Sequence, residues 1–347
     1  MGDGSRRHRD RGSAITVVST VGAVIVLVAA LGILYLAFRG PSGGSATGAG
    51  VAAGSTLTEQ PSSPRPASVP ATVPATAPTT LPASAPAGSR AATPPSTARA
   101  TGQPQGNPLG PGVQAYLAGR YGTVRVAVYD LATGQQWSAG DGAAQAEASI
   151  VKVDILETLL SQRPGGLTAS DQELAQEMIE DSDNDAATSL WDDAGGAVGI
   201  GAYNTQAGLT QTTPSACVVC AGFPWPGWGL TTTTPADQIA LLRRLVEPGG
   251  PLTSAEREYA LSLMEKVSAD QAWGVSGGVP AGVTVALKNG WLPLDAADTD
   301  WQINSIGWVS GDGRDYLLAM LSTGNPDEQY GIDTLDSVGS MVWSAMG

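Results

Sequence analysis

The sequence predicts an α+β domain: an antiparallel sheet built from both ends of the domain, flanked by a helical lobe and preceded by a transmembrane helix and a disordered linker. Three observations lead there. Residues 123–130 alternate Val124, Val126 and Val128 with Arg125 and Ala127, as a half-buried strand does. Strand character returns only after residue 283, close to the other end. Between the two, apolar residues recur at helical spacing, which puts a helical lobe inside a sheet made by the flanking segments.

The elements follow in order. Ala14 to Phe38 is an uncharged apolar run, longer than the ~20 residues a helix needs to cross a bilayer. Arg6, Arg7, Arg9 and Arg11 precede it and Arg39 follows, so residues 1–13 are expected in the cytoplasm and the rest outside. The run exceeds the ~7–15 apolar residues of an export signal and ends without a clear A-x-A step, which favours an uncleaved anchor. Residues 39–108 are Ala, Pro, Thr, Ser and Gly with few large apolar residues. They cannot bury enough surface to offset ordering entropy, and read as a tether. The globular domain is then 109–347.

Within it, Pro111–Arg120 reads as a short helix, and Thr123–Asp130 with Gln135–Ser138 as a hairpin turning at Leu131–Gly134. Ser149 opens a buried helix whose Ile150, Val153, Leu156, Leu159 and Leu160 fall at helical spacing. Thr168 to Asp171 is a capping pattern that starts a helix running to Glu180. A helix around Ala186–Asp192 follows, then one capped by Thr234 ahead of Pro235, then one from Leu252–Ser254 to Val267. Strands are expected at Val283–Leu287, Trp301–Val309 and Tyr316–Leu321, the last two joined by Gly311-Asp312-Gly313. A helix over Asp327–Met346 closes the chain.

Composition narrows the function. From Arg120 onward 10 Lys and Arg stand against 29 Asp and Glu, a formal balance of −19, which argues against nucleic acid or anionic lipid as a partner of the domain. The sole histidine, His8, lies ahead of the apolar run and cannot serve a Ser-His-Asp triad on the far side. Cys217 and Cys220 form an isolated C-x-x-C; two further zinc ligands are missing, and a local disulfide pinning a loop is the expectation.

Only three lysines occur, and two of them belong to an ordered set: Ser149-Ile150-Val151-Lys152, Ser182-Asp183-Asn184 and Lys288-Asn289-Gly290. S-x-x-K, S-D-N and K-x-G in that order form the residue set of an active-site serine enzyme with lysine as base. A serine hydroxyl needs a neighbouring base, and residues i and i+3 of a helix share a face, so Ser149 and Lys152 can meet. Burial and a second cation such as Lys288 would depress the amine's pKa. On this reading Ser149, Lys152, Ser182 and Lys288 are catalytic: Ser182 relays a proton to the leaving group, and Lys288 also tethers a substrate carboxylate. Asn184 holds Lys152 and a substrate amide, Asn289 and Gly290 line the substrate, and the Trp291 N–H joins the Ser149 N–H in an oxyanion hole. Asp183 points away and stabilises its turn. No metal and no cofactor is called for.

With these motifs, and with Glu147–Val153 and Thr232-Thr233-Thr234-Pro235, the chain resembles class A β-lactamases and the related penicillin-binding proteins over roughly residues 109–347. The resemblance implies acylation of Ser149 by a cell-wall peptide or a β-lactam-like amide. Three departures bear on activity. No Asp or Glu occurs between Asp193 and Asp237, the interval where the β-lactamases keep the glutamate that activates water, and Trp225 and Trp228 sit there instead. Asn289 stands where Thr or Ser is usual. The stretch from Ser149 to Ser182 is short, so one wall of the cleft is expected to be missing. The Pro224–Trp228 run reads either as an aromatic flap or as packing under a loop. The leading expectation is a membrane-anchored, extracytoplasmic serine hydrolase working through an acyl-enzyme. The alternatives are an active class A β-lactamase and a catalytically degenerate module binding wall peptide or a partner.

Overall fold

The spine of the molecule is a five-stranded antiparallel sheet whose strands lie side by side in the order 136–139, 123–130, 314–325, 301–311 and 284–293. The computed structural model describes residues 106–294 and 299–347. The proposed cytoplasmic tail, the apolar run Ala14–Phe38 and all but the last residues of the linker lie outside the described residues. Among the described residues no helix is long and apolar enough to cross a membrane.

From the N-terminal side come α1 (Pro111–Ala118), β1 (Thr123–Asp130) and β2 (Gln136–Ala139). From the C-terminal side come β5 (Thr284–Pro293), β6 (Trp301–Gly311), β7 (Arg314–Asn325) and α8 (Glu328–Ala345). The two ends join where β1 pairs with β7, Thr123 opposite Thr323 through Asp130 opposite Tyr316. The sheet is therefore assembled from both termini of the domain, as expected.

Alternation sorts the two cores. In β1, Val124, Val126 and Val128 face a core shared with α1 and α8, while Ala127 and Tyr129 face the helical lobe. In β7, Tyr316, Leu318 and Met320 join the first core, and Leu317, Ala319 and Leu321 the second. Central β7 is thus buried on both faces, which explains its near-continuous apolar run.

The lobe between β2 and β5 holds α2 (Val151–Gln162), α3 (Ala169–Glu180), α4 (Asn184–Asp193), α5 (Gly196–Ala207), α6 (Pro235–Val246) and α7 (Ser254–Met264). Helix α2 runs through its middle, buried from Val151 to Leu160 on every side. Local chemistry places the helix ends. Thr168 and Asp171 form the reciprocal capping box, Thr253 and Glu256 repeat it, and Thr234 caps α6 with Pro235 in its first turn. Asp312 and Gly313 take φ of 50° and 77° to turn β6 into β7.

Two elements were not legible from periodicity. Helix α5 is glycine-rich and lacks an apolar stripe; it starts after Gly195, whose φ of 88° suits glycine. A two-stranded ribbon pairs β3 (Gln145–Ala146) with β4 (Thr232–Thr233), too short to show a pattern. The first strand of that ribbon ends at Ala146, three residues before Ser149.

Candidate active site

Ser149 lies in a single 3-10 turn, Ala148–Ile150, that leads into α2. The expected helix start is displaced by this turn, and the serine stays at the N-terminal end, where free N–H groups cluster. Ala148 has φ of 52°, and Ser182, in the second motif, φ of 58°. These are two of the three described non-glycine residues with left-handed backbone, and each conformation costs roughly 1–3 kcal/mol, a strain that concentrates at functional sites.

A polar bracket behind the turn holds it. Asn304, fully buried on β6, donates from Nδ2 to the carbonyls of Ala146 and Glu147, both at 2.9 Å. Its Oδ1 accepts from Gln145 Nε2 at 2.9 Å, and Gln145 Oε1 accepts from Arg125 Nη1 at 2.7 Å. The Glu147 N–H donates to Thr231 O at 2.7 Å. An asparagine in the middle of an apolar strand was the available sequence signal, since a buried amide needs several partners.

Lys152 is completely buried. Its Nζ donates to Ser182 O at 2.6 Å, to Asn184 Oδ1 at 2.9 Å and to Ser182 Oγ at 3.0 Å, and it lies 5.1 Å from the Trp228 ring. Burial, and then the charge of Lys288, push its pKa well below the usual lysine range, while Asp183 acts in the opposite sense. The three motifs therefore converge on this amine. The direct Ser149–Lys152 contact expected from i,i+3 spacing is not among its hydrogen bonds: all three go to Ser182 and Asn184. The reason is chemical. A buried ammonium has three protons and takes the strongest nearby acceptors, a carbonyl and an amide oxygen. Once neutral it keeps two N–H donors and gains a lone pair, and Ser182 Oγ is the one partner able to reverse and donate.

Asp183 faces the other way, as expected, and caps α4 by accepting from the Ala186 N–H at 2.7 Å. Asn184, the first residue of α4, presents Oδ1 to Lys152 and lines the space over Ser149.

On β5, Lys288 is also fully buried, with Nζ donating to Asn289 O at 3.2 Å, and burial lowers its pKa to about 7. Gly290 packs onto the Ser149 turn. A methyl group built there would lie 2.6 Å from Ser149 N, 2.8 Å from Ile150 N and 2.9 Å from Glu147 O. Those neighbours are backbone, so only glycine fits. Trp291 follows and lines the same space, its ring tilted against Trp273 at 6.1 Å.

Asn289 requires a correction. Its Nδ2 donates to Gln271 O at 2.6 Å and Trp273 O at 3.0 Å, on the side of the strand away from Lys288 and Gly290. Both amide protons that a substrate carboxylate would use are committed to a loop, so Asn289 braces that loop instead of lining the substrate.

The aromatic run does both things the sequence left open. Trp228 is buried and donates from Nε1 to Thr188 Oγ1 at 3.1 Å, so it is packing. Phe223, Trp225 and Pro226 line the space over Ser149, so the same run is a wall of the site. Cys217 and Cys220 form the expected disulfide. It clamps this run: the Gly227 N–H donates to Val218 O at 2.6 Å, and Val219 pairs with Pro226. The space left over Ser149 is about 40 Å³.

Helix α2 carries a second set of polar groups that apolar spacing does not reveal. Asp154 and Glu157 are completely buried, as is Glu147 just before the turn. Burial, with the charges of Asp154 and Asp237, holds the Glu147 carboxyl well above the usual range. Burial pushes Asp154 up to about 7 and Glu157 well upward. None of them lines the space over Ser149. Two acids at i and i+3 inside an otherwise apolar helix were the readable signal.

Fold and motif set together are those of a β-lactamase-like serine hydrolase domain. A model of the β-lactamase enzyme family matches residues 157–346, more than half of the sequence, and the chain belongs to that family. The matched stretch begins after Ser149 and Lys152. Among solved structures, the chain is similar to a class A β-lactamase from Mycobacterium abscessus, with 23% identity, a TM-score of 0.55 and 67% of this chain covering 97% of that one. It is likewise similar to a β-lactamase from Xanthomonas campestris, with 21% identity, a TM-score of 0.57 and 67% of this chain covering 96% of that one. At such identities the likeness is one of fold. Curated relatives in Mycobacterium tuberculosis and Mycobacterium bovis, each named "Putative lipoprotein LppW", are 28% identical over 218 residues. That match spans 59% of this chain and 65% of the relatives' length.

Proposed function

We propose that this member of the β-lactamase family is a membrane-anchored, extracytoplasmic serine hydrolase that forms an acyl-enzyme at Ser149 with a cell-wall peptide or a β-lactam-like amide. The observation that carries the reading is the environment of Lys152: an amine sealed from solvent, its pKa depressed, one helical turn from Ser149 and held by Ser182 and Asn184. A lysine whose ammonium is disfavoured by burial has the neutral form that a general base needs within reach.

In the proposed cycle neutral Lys152 accepts the Ser149 proton as Ser149 Oγ attacks the carbonyl. Contacts at a base tighten when substrate arrives, which the resting hydrogen bonds to Ser182 leave room for. Ser182, between Lys152 and the leaving group, passes the proton on, and Lys288 supplies charge beneath the site. The Ser149 and Trp291 N–H groups are assigned to the oxyanion, a role supported by the close fit of Gly290 against the turn.

Turnover is assigned to be slow. No carboxylate is among the residues lining the space over Ser149, and the interval from 194 to 236 contains none. The acyl-enzyme therefore has no evident base to activate water, which favours a peptidase-like or acyl-transferring role over rapid lactam hydrolysis.

The name of the mycobacterial relatives supports attachment to a membrane. In this sequence both cysteines are joined to each other, so no cysteine is left to carry a lipid, and the apolar run 14–38 is the proposed anchor. The test is incubation of the chain with benzylpenicillin and mass spectrometry of the intact protein. A stable adduct on Ser149, lost in Ser149→Ala, is expected; rapid lactam turnover without accumulation would support the β-lactamase reading, and no adduct at any pH from 5 to 9 would overturn the acyl-enzyme.

A further inference from the structure

Ten residues line the space over Ser149, and none of them ionises. Four are aromatic: Phe223, Trp225, Trp228 and Trp291. The two lysines of the site are completely buried beneath, so neither presents a cation to an incoming side group. The chain from Arg120 onward has a formal balance of −19, with 29 acidic against 10 basic residues, and disfavours the approach of anions.

Size adds a constraint. A dry cavity needs on the order of 150 Å³ to hold a benzene ring, whereas the space at Ser149 is about 40 Å³. It is a shallow cleft, open to solvent, and a bulky group next to the reacting carbonyl extends from it onto the rim. There Trp225 is 47% exposed, unusual for a tryptophan, while Trp228 beside it is buried at 2%.

The rim is preformed. The Cys217–Cys220 disulfide, the Gly227 N–H to Val218 O bond at 2.6 Å and the Val219–Pro226 pairing fix the backbone around Trp225. A methyl group on Gly227 would lie 2.1 Å from Cys217 O and 2.4 Å from Cys220 Sγ, so the loop seats directly on the disulfide. A backbone fixed before binding leaves only the two side-chain torsions of Trp225 to be ordered when a ligand stacks on it.

We infer that Trp225 is a specificity-determining residue, forming a stacking subsite for an uncharged, flat apolar substituent on the acyl side of the substrate. The inference rests on the acyl-enzyme reading for its meaning, and on the rim alone for its geometry.

Three penicillins with one nucleus and different acyl side chains test it: phenylacetyl, acetyl, and phenylacetyl bearing an α-carboxylate. Binding is measured by calorimetry on the full-length Ser149→Ala chain in detergent, where no covalent step intervenes. The phenylacetyl compound is expected to bind about 10-fold more tightly than either of the others, as an aromatic contact with its buried area would give. Adding Trp225→Ala should weaken the phenylacetyl compound about 10-fold more than the acetyl one and so erase that preference, while Trp225→Phe should keep most of it. Equal binding of all three, tightest binding of the carboxylated compound, no binding of any, or equal weakening of all three by Trp225→Ala would each overturn the subsite. The chain with Ser149 intact is examined for adducts in parallel. A side-chain preference in binding without any adduct would sink the acyl-enzyme and spare the subsite; adducts forming without preference would do the reverse.

Discussion

Replacing Asp154 by Asn should make the protein more stable at neutral pH and flatten its dependence on pH. Asp154 sits completely buried in α2, two residues beyond Lys152, and burial pushes its pKa from 3.8 to about 7. The folded state thus holds this proton more tightly than the unfolded chain does. Stability from the group is complete below about pH 4, drains away as pH rises towards 7, and is gone above. A rise of about 3 units at 1.36 kcal/mol each amounts to roughly 4 kcal/mol over that window. Asn keeps the shape and never ionises. Glu147 adds to the effect, because the Asp154 charge is one cause of its own raised pKa. The assay is urea unfolding of the full chain in detergent, followed by fluorescence. All nine tryptophans lie beyond residue 136, so the signal reports the described domain. The variant should match the parent below about pH 3.5, exceed it by about 1 kcal/mol near pH 4.5 and by roughly 4 kcal/mol near pH 7.5. Parallel pH profiles for the two chains, or a variant less stable at pH 7.5, would refute the argument that burial governs this carboxyl.

Other expectations come from the site and its supports. Gly290→Ala should slow Ser149 acylation at least ~100-fold and destabilise the fold by about 1–3 kcal/mol, because the new methyl meets backbone at 2.6 Å; an unchanged acylation rate would show that the turn can retreat. The acylation rate should fall as pH drops through the pKa of Lys152, which lies well below 10.5, since only the neutral amine accepts a proton. A rate that climbs only above pH 10 would mean an ordinary, exposed lysine. Asn304→Leu leaves the Ala146 and Glu147 carbonyls without their shared donor, and a loss of about 2–3 kcal/mol in the melt, with slower acylation, is expected. Converting Cys217 and Cys220 to Ser opens a four-residue loop and should cost about 2 kcal/mol, read as a lower Tm, with the larger effect on acylation by bulky side chains.

Much of this was readable before any coordinates. Alternation of valines in β1 and the return of strand character after residue 283 located the sheet, although β1 is buried on both faces where its alternation suggested one. Thr168, Thr234 and Thr253 announced helix starts because capping is a contact between neighbours along the chain. The ordered motifs around Ser149, Ser182 and Lys288 named the chemistry, since few arrangements besides a serine nucleophile ask for those types together. Asn289 was misread because motif position says which residues are adjacent and not which face of β5 each occupies once the loop at Gln271 and Trp273 arrives. The ribbon of β3 and β4 escaped notice for a similar reason: two residues per strand carry no period.

Composition and order alone pointed to the class of fold, to Ser149 as the proposed nucleophile with Lys152 as its proposed base, and to the acid-free interval from 194 to 236, because each depends on residue identity and short spacing. Only the tertiary structure decided that Lys152 turns to Ser182 and Asn184, that Asn304 brackets the nucleophile's turn, that three carboxyls lie sealed within the lobe, and that a disulfide-held aromatic rim walls the opening. Those facts arise between segments far apart in sequence, where packing and desolvation set a group's partners and its charge, and neither is written in any local stretch of chain.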